Sequence, residues 1–101
     1  MKKTKVTFNL GKLETSQAVL RALAHPLRLK ILKCIDDHEV THVNQIYKKL
    51  DMEQSICSQH LRIMRNAGVL LCVKSGQFVY YSIDYNLVSR TVEAINRFNR
   101  H

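Results

Sequence analysis

The sequence predicts a mainly α domain carrying one β-hairpin, in the order α-α-α-α-β-β-α, which is the arrangement of a winged helix-turn-helix. Three observations predict it. Apolar residues recur at helical spacing in five stretches; a short turn separates the third stretch from the fourth; and two runs rich in β-branched and aromatic residues follow the fourth directly.

The first helix spans Leu13 to Ala24, with Leu13, Leu20 and Leu23 marking one face. "HP" then breaks it, because the residue before a proline avoids the helical region and Pro26 suits the first turn of a new helix. That second helix is "PLRLKILKCIDD", with Leu27, Ile31 and Ile35 spaced four apart along a buried face. Thr41 is placed to cap a short third helix, "HVNQIYKKL", whose apolar positions are Val43, Ile46 and Leu50. Asp51 fits the turn that follows. The fourth helix runs from Glu53 to Ala67 and stops at Gly68, a residue suited to the left-handed conformation after a helix end. "VLLCVK" and "FVYYSI" around "SGQ" form the hairpin, in the position of a wing. The last helix, 85–100, presents Val88, Val92, Ile95 and Phe98 as a stripe too apolar for free solvent. Either the chain's own core covers that stripe or another surface does.

A chain of 101 residues has room for one domain, residues 1–101, with a modest core. Sixteen Lys and Arg against eight Asp and Glu give a formal net charge of +8, which makes a polyanion the natural partner: nucleic acid first, anionic membrane second. No run of about 18 apolar residues occurs, so nothing is expected to span a membrane. The basic start leads into no signal-type apolar stretch, and the three cysteines, Cys34, Cys57 and Cys72, lack a Cys-x-x-Cys spacing. Both point to a cytoplasmic chain with reduced thiols. No general acid/base pair, nucleophile triad or phosphate-binding loop is present, so an enzyme is not expected.

The fourth helix carries the chemistry. At about 100° per residue, Cys57, Leu61 and Met64 gather on one side, flanked by Ile56, His60, Ile63 and Ala67. The opposite arc holds Gln54, Ser55, Ser58, Gln59, Arg62, Arg65 and Asn66, with no carboxylate among them. A solvated helix face ordinarily mixes both signs. Amides, hydroxyls and guanidiniums are the groups that base edges and phosphates call for. Gln54, Ser55, Ser58 and Gln59, near the helix start, are the candidates for bases, and Arg62 and Arg65 those for phosphates. Lys74 and Gln77 extend this DNA-binding set onto the wing, where Ser75 fits a solvated turn equally well. Cys57 and His60 are three apart, a spacing that can begin a metal clip, but Cys57 lies mid-core and no metal site is expected.

"LRALAHPLRLKIL", "SQHLRIMRNAGVL" and "GQFVYYSI", in that order and spacing, resemble the ArsR family of bacterial winged helix-turn-helix regulators over nearly the whole chain. The resemblance implies a homodimeric repressor on a palindromic operator in double-stranded DNA, released by an inducer that is often a metal ion. It implies pairing through the helices at 13–24 and 85–100, with Leu13, Leu20, Val88, Val92, Ile95 and Phe98 at the interface. It assigns DNA contacts to Ser58, Gln59 and His60, and to Arg28 the job of tying helices together. The chain departs from the family at Gln77, where many members carry a wing arginine, and at Glu53, where Ser or Thr is common. It departs also at the metal sites. The third helix has no cysteine, Asn86 stands where a histidine belongs after Asp84, and Arg97 and Arg100 replace the family's His and Glu. The small inducer is therefore unknown. A non-specific nucleoid-type DNA binder, a protein-interaction module and a thiol-based redox-responsive repressor are the alternatives.

Overall fold

Helix α1 (Leu10–Leu23) ends with two residues, Ala24 and His25, left before Pro26, and α2 (Pro26–His38) starts on the proline, as the "HP" break requires. The computed structural model describes residues 10–38 and 41–99. After α2 come β1 (Thr41–His42), α3 (Val43–Lys49), α4 (Gln54–Asn66), β2 (Leu70–Ser75), β3 (Phe78–Ile83) and α5 (Tyr85–Asn99). None of the described helices is long and apolar enough to cross a membrane.

The fold is the predicted winged helix-turn-helix with one strand added. β1 pairs antiparallel with β3, Thr41 opposite Tyr81, so the hairpin grows into a three-stranded sheet of order β1-β3-β2. Thr41 is accordingly not a helix cap. It is buried in the sheet, its hydroxyl donates to Gln45 Oε1 at 2.6 Å, and His42 takes the N-cap position of α3.

Both helices of the helix-turn-helix end in the same way. After α4, the Gly68 N–H donates to the Arg65 carbonyl and the Val69 N–H to the Met64 carbonyl, each at 2.9 Å, with Gly68 at φ +85°. After α3, Asp51 takes the left-handed position at φ 50°, and the Met52 N–H donates to the Tyr47 carbonyl at 2.9 Å. Aspartate is among the few residues other than glycine that enter this region at modest cost. The turn between the helices is thus fixed by backbone hydrogen bonds.

Gly68 has a second constraint, since a Cβ there would lie 3.0 Å from Leu87 Cδ2, whereas a Cβ on Gly76 (φ +62°) would meet nothing within 4 Å. Gly68→Ala and Gly76→Ala are each expected to cost about 1–2 kcal/mol in backbone conformation. Gly68→Ala should then lower the melting temperature further, by the displacement of Leu87. Equal melting temperatures would show that α5 yields freely at this point.

The core gathers Val19 and Ala22 of α1, Ile31, Cys34 and Ile35 of α2, Ile46 of α3, and Cys57, Leu61 and Met64 of α4, closed by Val69, Leu70 and Ile83. In α1 the buried face is therefore turned from the predicted one. Val19 and Ala22 face inward, and Leu20 is 41% exposed. The α5 stripe divides as well: Val88 packs on the core, Val92 is 45% exposed, and Thr91 is the buried residue between them. The side chains of Leu13, Ile95 and Phe98 lie outside the described residues.

Candidate nucleic-acid interface

α4 is held from within. Cys57, Leu61 and Met64 are each 0% exposed, as the helical period predicts, and α1, α2, α3 and β2 all pack against the helix. Burial pushes the Cys57 thiol up to about 11, with the nearby Cys34 adding to the effect, and burial raises Cys34 also. Thiolate is the reactive form of cysteine, so burial disfavours reactivity at both thiols and leaves them as packing groups. Cys72, half-buried on β2, lies opposite Tyr81 in the sheet. This burial disfavours the thiol-based reading.

The outer arc of α4 is open. Gln54, Ser55, Gln59, Arg62, Arg65 and Asn66 are exposed, and Ser58 is half-exposed. Among the described residues the two ion pairs are Lys33–Asp37 at 2.9 Å, within α2, and Arg97–Glu93 at 3.7 Å, within α5, so neither involves a residue of α4 or the hairpin. Arg62, Arg65 and Lys74 therefore carry charge that no ion pair among the described residues offsets. Glu53 is the N-cap residue of α4 but makes no side-chain cap, in keeping with its departure from Ser or Thr.

Lys74 and Gln77 are exposed on the hairpin, Gln77 in its turn. Between the hairpin and the start of α4 lies a cleft of about 280 Å³, lined by His42, Val43, Asn44, Gln54, Gln77, Phe78 and Val79. Gln54 and Gln77, predicted separately, thus share one cleft. His42, Asn44 and Phe78 were not marked as site residues by the sequence. His42 stacks on Phe78 with ring centroids 5.2 Å apart and meets Tyr80 edge-on at 5.7 Å, contacts that exist only because β1 joins the sheet. No local pattern shows that pairing.

His60 is elsewhere. Its ring lies against His25 with centroids 4.8 Å apart, on the side facing the corner between α1 and α2. Of the residues expected to contact DNA, His60 is the one that the fold packs against another helix corner instead of leaving on the open arc. Arg28 does tie helices: its Nε donates to the Ala22 carbonyl at 2.6 Å and its Nη2 to the Arg21 carbonyl at 3.2 Å. It satisfies carbonyls in the last turn of α1, where a cation also suits the helix dipole. Asp84 serves as a cap as well, accepting from the Leu87 N–H of α5 at 3.1 Å. Among the described residues no group of three His, Cys, Asp or Glu could hold a metal ion.

Comparisons with known proteins agree with this geometry. The family model described as "Bacterial regulatory protein, arsR family" matches residues 25–70. The transcriptional repressor PagR of Bacillus anthracis is 38% identical over 84 residues, covering 83% of this chain and 84% of that protein. The transcriptional activator HlyU of Vibrio cholerae is 32% identical over 94 residues, covering 89% and 86%. The crystal structure of PagR superposes with a TM-score of 0.70 at 39% identity, over 75% of this chain and 86% of that one.

Proposed function

The chain belongs to the arsR family of bacterial regulatory proteins, DNA-binding transcription regulators rather than enzymes, and from that premise we propose that it is a homodimeric, cytoplasmic repressor of a palindromic operator. The observation that carries this is the acid-free outer arc of α4, exposed beside a hairpin whose one charged residue is Lys74, on a chain of net charge +8. Gln54, Ser55, Ser58 and Gln59 read bases in the major groove, Arg62 and Arg65 hold phosphates, and Lys74 and Gln77 follow the flanking backbone. The strand between the two grooves passes the cleft shared by Gln54 and Gln77.

Two copies pair through α1 and α5. These helices pack on each other, and each leaves an apolar residue in the open, Leu20 on one and Val92 on the other. The repressor role is supported by PagR, which is named a repressor. Release from DNA follows a signal other than a metal in the family's ligand sets, since Asn86 and Arg97 occupy ligand positions.

Competition against random DNA tests the reading, after operator selection from a random pool. A specific regulator is expected to prefer the selected site by about a thousandfold or more at physiological salt. Equal affinities would make the chain a non-specific nucleoid-type binder. Sedimentation showing a monomer at micromolar concentration would remove the palindromic part.

A further inference from the structure

His60 occupies the most chemically unusual position on α4. It is half-buried, and its Nδ1 has no hydrogen-bond partner among the described residues. The ring rests on that of His25, 4.8 Å between centroids. His25 in turn is the hinge of the α1–α2 corner. Its Nδ1 accepts the Leu27 N–H at 3.1 Å, and its carbonyl accepts from the Leu29 N–H at 3.0 Å. Arg28 stands beside the pair and fastens the same corner to α1 through the Ala22 and Arg21 carbonyls.

We propose that His60 is a positioning residue for the reading helix: packed on His25, it braces α4 against the α1–α2 corner only while the pair is uncharged, so that mild acidification loosens DNA binding. This rests on the DNA-binding reading of α4. A charged His60 carries an N–H on both ring nitrogens, and that on Nδ1 finds no acceptor among the described residues. A proton on His25 Nδ1 would displace the Leu27 N–H from its cap. Among the described residues, the groups that act on the charge of His60 are His25 from the corner and Arg28 from α2, both repelling a cation, with no carboxylate to offset them. Burial, His25 and Arg28, in that order, hold the His60 imidazole below the usual histidine range. The unfolded chain therefore takes up the proton first as pH falls. The brace is at full strength above the ordinary histidine value of about 6.5 and weakens as pH drops from there through the lowered folded value.

The sign separates this from ordinary electrostatics. Protonating the chain's other histidines adds positive charge and strengthens binding to a polyanion. The test measures affinity for a selected site by fluorescence anisotropy, with melting temperature followed in parallel without DNA, for the wild-type chain, His60→Phe, His25→Asn and His60→Ala. Wild-type affinity should fall roughly tenfold between about pH 7.5 and about pH 5.5. His60→Phe keeps the ring contact without a proton site, and His25→Asn keeps a helix-capping acceptor. Both should retain neutral-pH affinity and flatten the acid loss, while His60→Ala should weaken binding at every pH. An identical acid profile in His60→Phe would overturn the proposal. So would loss of neutral-pH binding by His60→Phe with its melting temperature intact, which would make His60 a direct DNA contact. If the wild-type chain binds DNA without specificity, the reading of α4 fails. The brace then stands or falls on whether the acid drop in melting temperature is absent from His60→Phe.

Discussion

Leu61→Ala is expected to lower stability by about 3 kcal/mol, within the 2–5 range of buried leucine truncations. Leu61 is 0% exposed and sits at the middle of α4, the helix against which α1, α2, α3 and β2 all pack. Met64, one turn on in the same core, is the flexible side chain able to refill part of the space, which keeps the expected loss to the middle of that range. A domain of this size has roughly 5–15 kcal/mol in total. Each kcal/mol moves the melting temperature by about 4–8 °C, so a drop of roughly 12–24 °C is expected. Arg62→Ala, one residue on and exposed, should stay within about 0.5 kcal/mol of the wild-type chain. Circular dichroism melts at a single protein concentration check both, because dimerisation makes the midpoint concentration-dependent. A loss below about 1 kcal/mol for Leu61→Ala would place α4 outside the core and remove the basis for its two faces.

What could be read in the sequence divides by the range of the interaction involved. The two faces of α4, the break at Pro26 and the left-handed stop at Gly68 depend on residues within a turn or two, and each appears in the structure where local pattern put it. β1 is two residues long and exists only by pairing with Tyr80 and Tyr81, about forty residues downstream. Nothing local marks it, so Thr41 read as a cap. Periodicity also locates apolar faces without saying what covers them, which is why Leu20 was assigned to the same face as the half-buried Leu23 although Val19 and Ala22 face inward. His60 shows the limit most clearly. Helical spacing puts it at the edge of the buried arc, where packing and DNA contact are equally open. Its partner, His25, lies 35 positions earlier on a corner that only the tertiary fold brings near.

On the outer face of α4, base contacts and phosphate contacts predict different signatures. Arg62→Ala with Arg65→Ala should reduce affinity for selected and random DNA alike. Each lost phosphate contact lowers the slope of log K against log salt by about 0.9, so the double variant should flatten it by nearly two. Gln59→Ala should instead cost about 1–3 kcal/mol on the selected site and little on random DNA, with an unchanged salt slope, because an amide reading a base edge releases no counterion. Anisotropy titrations on both DNAs at several salt concentrations separate the two. The combination matters more than either result. Counterion release sets how strongly a chain of net charge +8 holds any duplex, but it cannot choose a site. If Gln59→Ala weakened both DNAs equally, α4 would be gripping backbone rather than reading bases. Specificity would then have to come from DNA shape along the cleft between α4 and the hairpin, where Gln54 and Gln77 meet.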